Sequence, residues 1–181
     1  MKLSKSIPQD NFIIVSPKDL WPEISGTKLG LISDTHGKLK ADVFDALGGS
    51  DLILHAGDIV GDDILPSLEA IAPVHAVIGN NDYPGEYGPK VGFVEILEVE
   101  ALRIKIIHRP QDIKSYDTDI VMFGHTHVPH FEYALSDDDF GDTLLINPGS
   151  NTRSRSSYKH TCARMIISGD EVRYFALVEL L

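Results

Sequence analysis

Seven side chains able to ligate a metal stand directly after apolar runs of this chain. "LGLIS" leads into Asp34 and His36, "LILHAG" into Asp58, and "VHAVIG" into Asn80. "LRIKII" leads into His108, and "DIVMFG" into His125 and His127. Short apolar runs bounded by glycine and polar residues read as strands. Ligands of open α/β sheets gather at the carboxyl ends of strands. Neighbouring strands that run the same way would therefore bring all seven groups to one crevice. In extended chain, residues i and i+2 face the same side, which aims Asp34 with His36 and His125 with His127. Gly37, Gly57, Gly79 and Gly124 sit beside these residues and let backbone crowd around a compact centre.

The donors are oxygen and imidazole nitrogen only, because the single cysteine, Cys162, lies far from these motifs in sequence. A set without thiolate argues against an iron–sulfur cluster or a structural zinc knot, and suits manganese, iron, zinc, cobalt or nickel. Seven groups are too many for one tetrahedral ion and too few for two separate full shells. A shared carboxylate resolves the count, and Asp58 is the natural bridge, giving each ion four protein groups. Two ions about 3.5–4 Å apart form a clamp for phosphoryl chemistry: they lower the pKa of a bridging water and neutralise charge on phosphate oxygens. Each motif alone has a plainer reading. An aspartate after a strand often caps a helix, "GNND" reads as a turn, and a lone histidine is commonly a satisfied core or surface residue. Their conjunction in this order is what points to metal.

The elements that must position these groups follow a rhythm. Between Lys28 and Asn80 the pattern alternates strand, helix ("KADVFDALGG"), strand, helix ("GDDILPSLEAI"), strand. That alternation predicts a layered α/β domain with a parallel section of sheet. The second half is dominated by strands. "VGFVEILEVEALRIKIIH" reads as two strands and a tight turn, and a short helix near "PQDIKSY" precedes "DIVMFG". "HFEYAL", "TLLINP", "CARMIIS" and "EVRYFALV" follow as strands, the last two joined by a Ser168-Gly169-Asp170 hairpin turn. A second sheet stacked on the first is expected. Residues 1–27 are set apart as an N-terminal extension, with 28–181 as one domain. The "FIIV" patch reads as a short strand or turn of helix. With Trp21 it offers material for a core edge or for a contact in a homo-oligomer. "SDDDFGD", from Ser136 to Asp142, is an acidic loop without calcium-loop spacing.

The composition sets limits on function. A length of 181 residues fits one domain with a sizeable core. The formal net charge of −11 disfavours a nucleic-acid polymer as partner, and the short "RSRSSYKH" stretch does not offset it. No apolar run reaches transmembrane length, so no membrane partner is expected. The first ten residues lack a signal-peptide core. A lone cysteine allows no internal disulfide, which suits a cytoplasmic protein.

In the order DxH, GD, GN, H, GHxH, the motifs between Lys28 and Arg155 resemble the calcineurin-like metallophosphoesterase superfamily. The short chain and "NPGS" (Asn147 to Ser150) resemble its compact prokaryotic phosphodiesterase branch. The resemblance implies an α/β fold: a β-sandwich of two mixed sheets flanked by helices in four layers. It implies two divalent ions, manganese first, with nickel, zinc, iron or cobalt as alternatives. One ion would take Asp34, His36, Asp58 and His127, and the other Asp58, Asn80, His108 and His125. Asp58 and Asn80 would be catalytic, with Asn80 also facing the substrate phosphate. The implied activity is hydrolysis of a small phosphate ester, a diester before a monoester, by a hydroxide bridging the two ions.

The chain departs from the superfamily pattern in two places. Asn81 stands where many members carry a histidine that protonates the leaving group, so good leaving groups such as aryl esters are expected. "HRP" places Arg109 where glycine is usual; it would contact phosphate or form a surface ion pair. Asp82 is expected to orient a ligand or a bound water. Arg153 and Arg155 follow "NPGS" and either reach an anionic substrate or are solvated. His55, His75, His130 and His160 are placed outside the site. The retromer scaffold subunit also resembles this branch, so a protein-binding scaffold is the second reading. The complete set of seven ligand-type residues weighs against it.

Overall fold

The computed structural model describes residues 12–135 and 141–181. The part of the acidic loop from Ser136 to Phe140 lies outside the described residues. Two mixed sheets face each other. The first has the order β1-β11-β10-β2-β3-β4 and the second β5-β6-β7-β9-β8. Their strands are β1 (Ile14–Val15), β2 (Thr27–Ile32), β3 (Leu52–His55), β4 (Val74–Ala76), β5 (Val94–Val99), β6 (Leu102–Ile107), β7 (Ile120–Met122), β8 (His130–Ala134), β9 (Thr143–Asn147), β10 (His160–Ser168) and β11 (Glu171–Leu180).

Alternation along the strands builds the layers. Leu29, Leu31 and Leu54 point between the sheets, where they join Ile104, Ile106, Ile120, Met122, Leu144 and Ile146 from the second sheet. Ile32 and Ile53 point the other way and pack on helices α1 (Asp42–Leu47) and α2 (Ile64–Glu69) through Val43, Leu47, Ile64 and Leu68. Both helices thus cover the first sheet. On the outer face of the second sheet, Val121, Ile107 and Phe123 pack with Ile113, just after a single 3-10 turn at Pro110–Asp112. The fourth layer expected from the sequence is reduced to that turn among the described residues.

β2, β3 and β4 run parallel, as do β6, β7 and β9. This puts the carboxyl ends of β2, β3, β4, β6 and β7 in position to deliver the motif loops. β10 and β11 form the expected hairpin, turning through Gly169 at φ 61°. Part of the N-terminal segment joins the domain. β1 pairs in parallel with β11, and the Trp21 indole donates to the Gly48 carbonyl at 2.8 Å. Among the described residues, no helix is long and apolar enough to cross a membrane.

Candidate metal centre

The strands stop short of the ligand-type residues. β2 ends at Ile32 and β7 at Met122, so Asp34, His36, His125 and His127 lie on loops. Asp34, His36, Asp58, His125 and His127 all adopt left-handed backbone, with φ between 47° and 66°. L-residues rarely do so, and such conformations concentrate at functional sites. The extended-chain argument therefore does not describe the backbone here. Asp34 and His36 still reach one cluster, but His125 and His127 part company and face different groups.

The first group contains Asp34, His36, Asp58 and His127, each offering one ligand atom within 4.8 Å of the others. His127 Nε2 lies 3.2 Å from Asp34 Oδ1 and 3.2 Å from His36 Nε2. His36 Nε2 lies 3.7 Å from Asp58 Oδ2. The second group surrounds Asn80. Its Oδ1 stands 3.0 Å from His108 Nε2 and 2.9 Å from His125 Nδ1. His108 Nε2 is also 3.4 Å from Asp58 Oδ1. One carboxylate, Asp58, therefore faces both groups with a different oxygen. Asp34, Asp58, His108 and His127 are all buried.

Backbone carbonyls fix the imidazoles. His108 donates from Nδ1 to the Ala56 carbonyl at 2.7 Å, and His127 from Nδ1 to the Arg153 carbonyl at 2.6 Å. In a neutral ring this leaves Nε2 as a bare lone pair, and both lone pairs face oxygen acceptors. Second partners of this kind hold metal-ligating histidines in one tautomer. Burial keeps His36 and His125 below the usual histidine range, so they favour the neutral, ligating form. Burial works to raise Asp34, but contact with His127, the charge of His108 and the Ser33 hydroxyl outweigh it and hold the carboxyl below its ordinary value. Converging acceptors with few donors fit a divalent cation.

Close approach of the loops depends on two glycines. A Cβ at Gly79 would sit 2.2 Å from Asp58 Oδ1, and one at Gly124 would sit 2.1 Å from Ser33 Oγ. No side chain fits at either position.

Several residues serve the site without a signal in the sequence. Asn81 donates to Asp58 twice, from its backbone to Oδ1 at 2.9 Å and from Nδ2 to Oδ2 at 2.7 Å. The Ser33 hydroxyl donates to Asp34 Oδ2 at 2.6 Å. Ser33 stands beside Asp34 in sequence, whereas Asn81 lies 23 positions from Asp58 and gave no sign of this contact. The carbonyls of Ala56 and Arg153 are invisible to any reading of residue types. Asp82 does not touch a ligand side chain. Its carboxylate accepts from the amides of Gly79, Ile59 and Val60 at 2.7, 3.1 and 2.9 Å, stapling the Asp58 loop to the Asn80 loop. Arg109 is exposed and donates to Asp112 at 2.8 Å, the ion-pair alternative. His55 is structural: its Nδ1 accepts from the Gly57 amide and its Nε2 pairs with the Thr35 hydroxyl. His75 and His130 pair with Glu95 and Glu132 away from the centre.

A two-sheet sandwich with a buried carboxylate–imidazole cluster at its strand ends fits a metallophosphoesterase. Residues 27–170 match the calcineurin-like phosphoesterase superfamily domain, and the chain belongs to that superfamily. A probable metallophosphoesterase of Methanocaldococcus jannaschii is 38% identical over 154 residues, covering 75% of this chain and 74% of its own. A phosphodiesterase of the same organism is 30% identical over 145 residues, covering 67% of this chain and 82% of its own. Wild-type Vps29 of Entamoeba histolytica, solved in complex with zinc, shares the fold at a TM-score of 0.63 and 19% identity, covering 85% of this chain and 98% of that one.

Proposed function

We propose that this metal-dependent phosphoesterase is a dinuclear phosphodiesterase. The observation that carries the reading is the double aspect of Asp58, whose Oδ2 faces His36 and whose Oδ1 faces His108. Asp34, His36, Asp58 and His127 would hold one ion. Asp58, Asn80, His108 and His125 would hold the second. Manganese is the first expectation, ahead of nickel, zinc, iron and cobalt. When bound, the ions supply a nucleophilic hydroxide at neutral pH and neutralise charge developing on phosphate oxygens.

The chain's own residues do the rest. Asn80 engages both imidazoles through Oδ1, which leaves its Nδ2 to donate to a phosphate oxygen. Arg153 lies close enough to His36 to lower its pKa and adds positive charge at the mouth of the first group. Asn81 secures Asp58 and is no general acid, so the leaving group departs with little proton assistance. That favours aryl esters, and the Methanocaldococcus phosphodiesterase supports diesters. Arg109 would need to exchange Asp112 for phosphate to take part. The buried thiol of Cys162 suits a reducing cytoplasm.

The test uses metal-depleted protein reloaded with each divalent ion. Two ions per chain should bind, and bis-p-nitrophenyl phosphate should be cleaved faster than p-nitrophenyl phosphate. One ion per chain, or preference for the monoester, overturns the reading. A protein-binding scaffold ranks second because all seven ligand-type side chains are present and assembled.

A further inference from the structure

A cleft of about 480 Å³ opens beside the second group, and Asn80 and His108 line both. Its other walls are mainly apolar: Ile78, Phe93, Val94 and Ile107. Phe93 is 64% exposed and Val94 48%. Phe93 belongs to none of the hydrophobic clusters among the described residues. Its backbone is nevertheless pinned, since the neighbouring Gly92 carbonyl accepts from the Ile78 amide at 2.9 Å. The ring thus stands ready at the edge of the centre without serving the core. Cleft volumes of several hundred Å³ with apolar walls and a few polar groups are typical of small-molecule sites.

We infer that this cleft seats a planar aromatic arm of the phosphodiester substrate against Phe93 while the phosphate lies at Asn80 and His108. The inference rests on the phosphodiesterase reading and adds to it the place where an aromatic arm binds. Shared lining makes the seat continuous with the phosphate position, so one small ester can occupy both. An exposed phenyl ring offers its face to an aryl group or a nucleobase, and such stacking is tolerant of the ring's identity. Lys114 on the rim has no ion-pair partner among the described residues, and Arg109 lines the same cleft. Asp112 lines the cleft too and pairs with Arg109, so in a chain of net charge −11 Lys114 supplies the positive charge that this edge offers an anionic ester.

Calorimetry on the manganese-loaded protein compares diphenyl phosphate with dimethyl phosphate. Wild type should bind the diphenyl ester about tenfold tighter, in line with a stacked ring. Phe93→Ala should remove most of that preference and leave dimethyl phosphate within about twofold, while Phe93→Tyr should keep it. Equal affinity for the two esters in wild type, or equal weakening of both by Phe93→Ala, overturns the seat. Hydrolysis assays run alongside separate this result from the parent reading. A diphenyl preference without turnover of any diester keeps the seat and removes the phosphodiesterase. Turnover without aryl preference does the reverse.

Discussion

Two buried polar centres in this molecule have opposite balances of donors and acceptors. At the candidate metal centre, carboxylates and bare imidazole nitrogens converge, and their donors come mostly from the periphery. Arg164, on β10, is the converse. It is 1% exposed and carries its own positive charge. Its guanidinium donates to the carbonyls of Ala46 at 2.7 Å, Asp19 at 2.7 Å, Pro17 at 3.0 Å and Asp45 at 3.4 Å. Its flat face lies 5.2 Å from the centre of the Trp21 ring. The Arg164 centre is closed and needs nothing from outside. The other is complete only with a cation. Buried polar groups are normally paired, so an excess of acceptors asks for a partner from outside, whereas the balanced Arg164 centre does not.

The sharpest way to break this comparison is to mutate one member of each centre. Asp58→Ala should lower metal-dependent hydrolysis of bis-p-nitrophenyl phosphate by about a thousandfold or more, a loss of ~4 kcal/mol in the barrier. Added manganese is expected to stabilise wild type by about 3 kcal/mol at a hundredfold excess over Kd, and the mutation should abolish that shift. Wild-type rates in the mutant would remove Asp58 from the mechanism.

Arg164→Met should do the opposite. Chemical denaturation should show a loss of ~3 kcal/mol or more, because several carbonyls lose their donor. Turnover per folded molecule and the manganese-induced shift should stay within about threefold of wild type. Loss of turnover in well-folded Arg164→Met would show that the two centres are coupled.

His55 sharpens the comparison at the boundary of the metal centre. Burial pushes its pKa from 6.5 down to about 4. The unfolded chain therefore takes up the proton first as pH falls. This contribution to stability is complete above about pH 6.5 and declines toward pH 4, by ~3 kcal/mol in all. Urea midpoints measured between pH 4 and 7 should show that slope in wild type and a shallower one in His55→Gln. The smallest effect is expected from Asn81→Ala, which removes one donor from Asp58. Manganese affinity should fall about tenfold, as for outer partners of metal ligands. Unchanged affinity would mean that burial and the Asn81 backbone amide suffice to hold Asp58.

The sequence named the side chains that the fold brings together at the candidate centre. Residue type announces a ligand, and five apolar runs each followed by such a residue left little room for another reading. The parallel section, the second sheet and the closing hairpin were readable from hydrophobic alternation and turn residues, whereas the order of strands within each sheet was not. The backbone at the ligands was not legible. Left-handed φ at His125 and His127 depends on how their loop meets Asp34, whose carboxylate accepts the His125 amide at 3.0 Å from a residue 91 positions away. A still greater distance in sequence hides Arg164, whose partners lie at positions 17, 19, 45 and 46. Arg109 could be read either as a phosphate contact or as an ion pair, and only its geometry with Asp112 shows which partner it has here.

The Arg164 clamp also bears on where this protein can be cut. Similarity to the superfamily begins at residue 27, and a boundary drawn there looks natural. The physical unit starts earlier, since Pro17, Asp19 and Trp21 complete the coordination of a buried charge and β1 extends the sheet. A chain trimmed to the homologous region would keep every ligand-type motif and expose an arginine built to be covered. The unit that is inherited and the unit that folds do not share an edge.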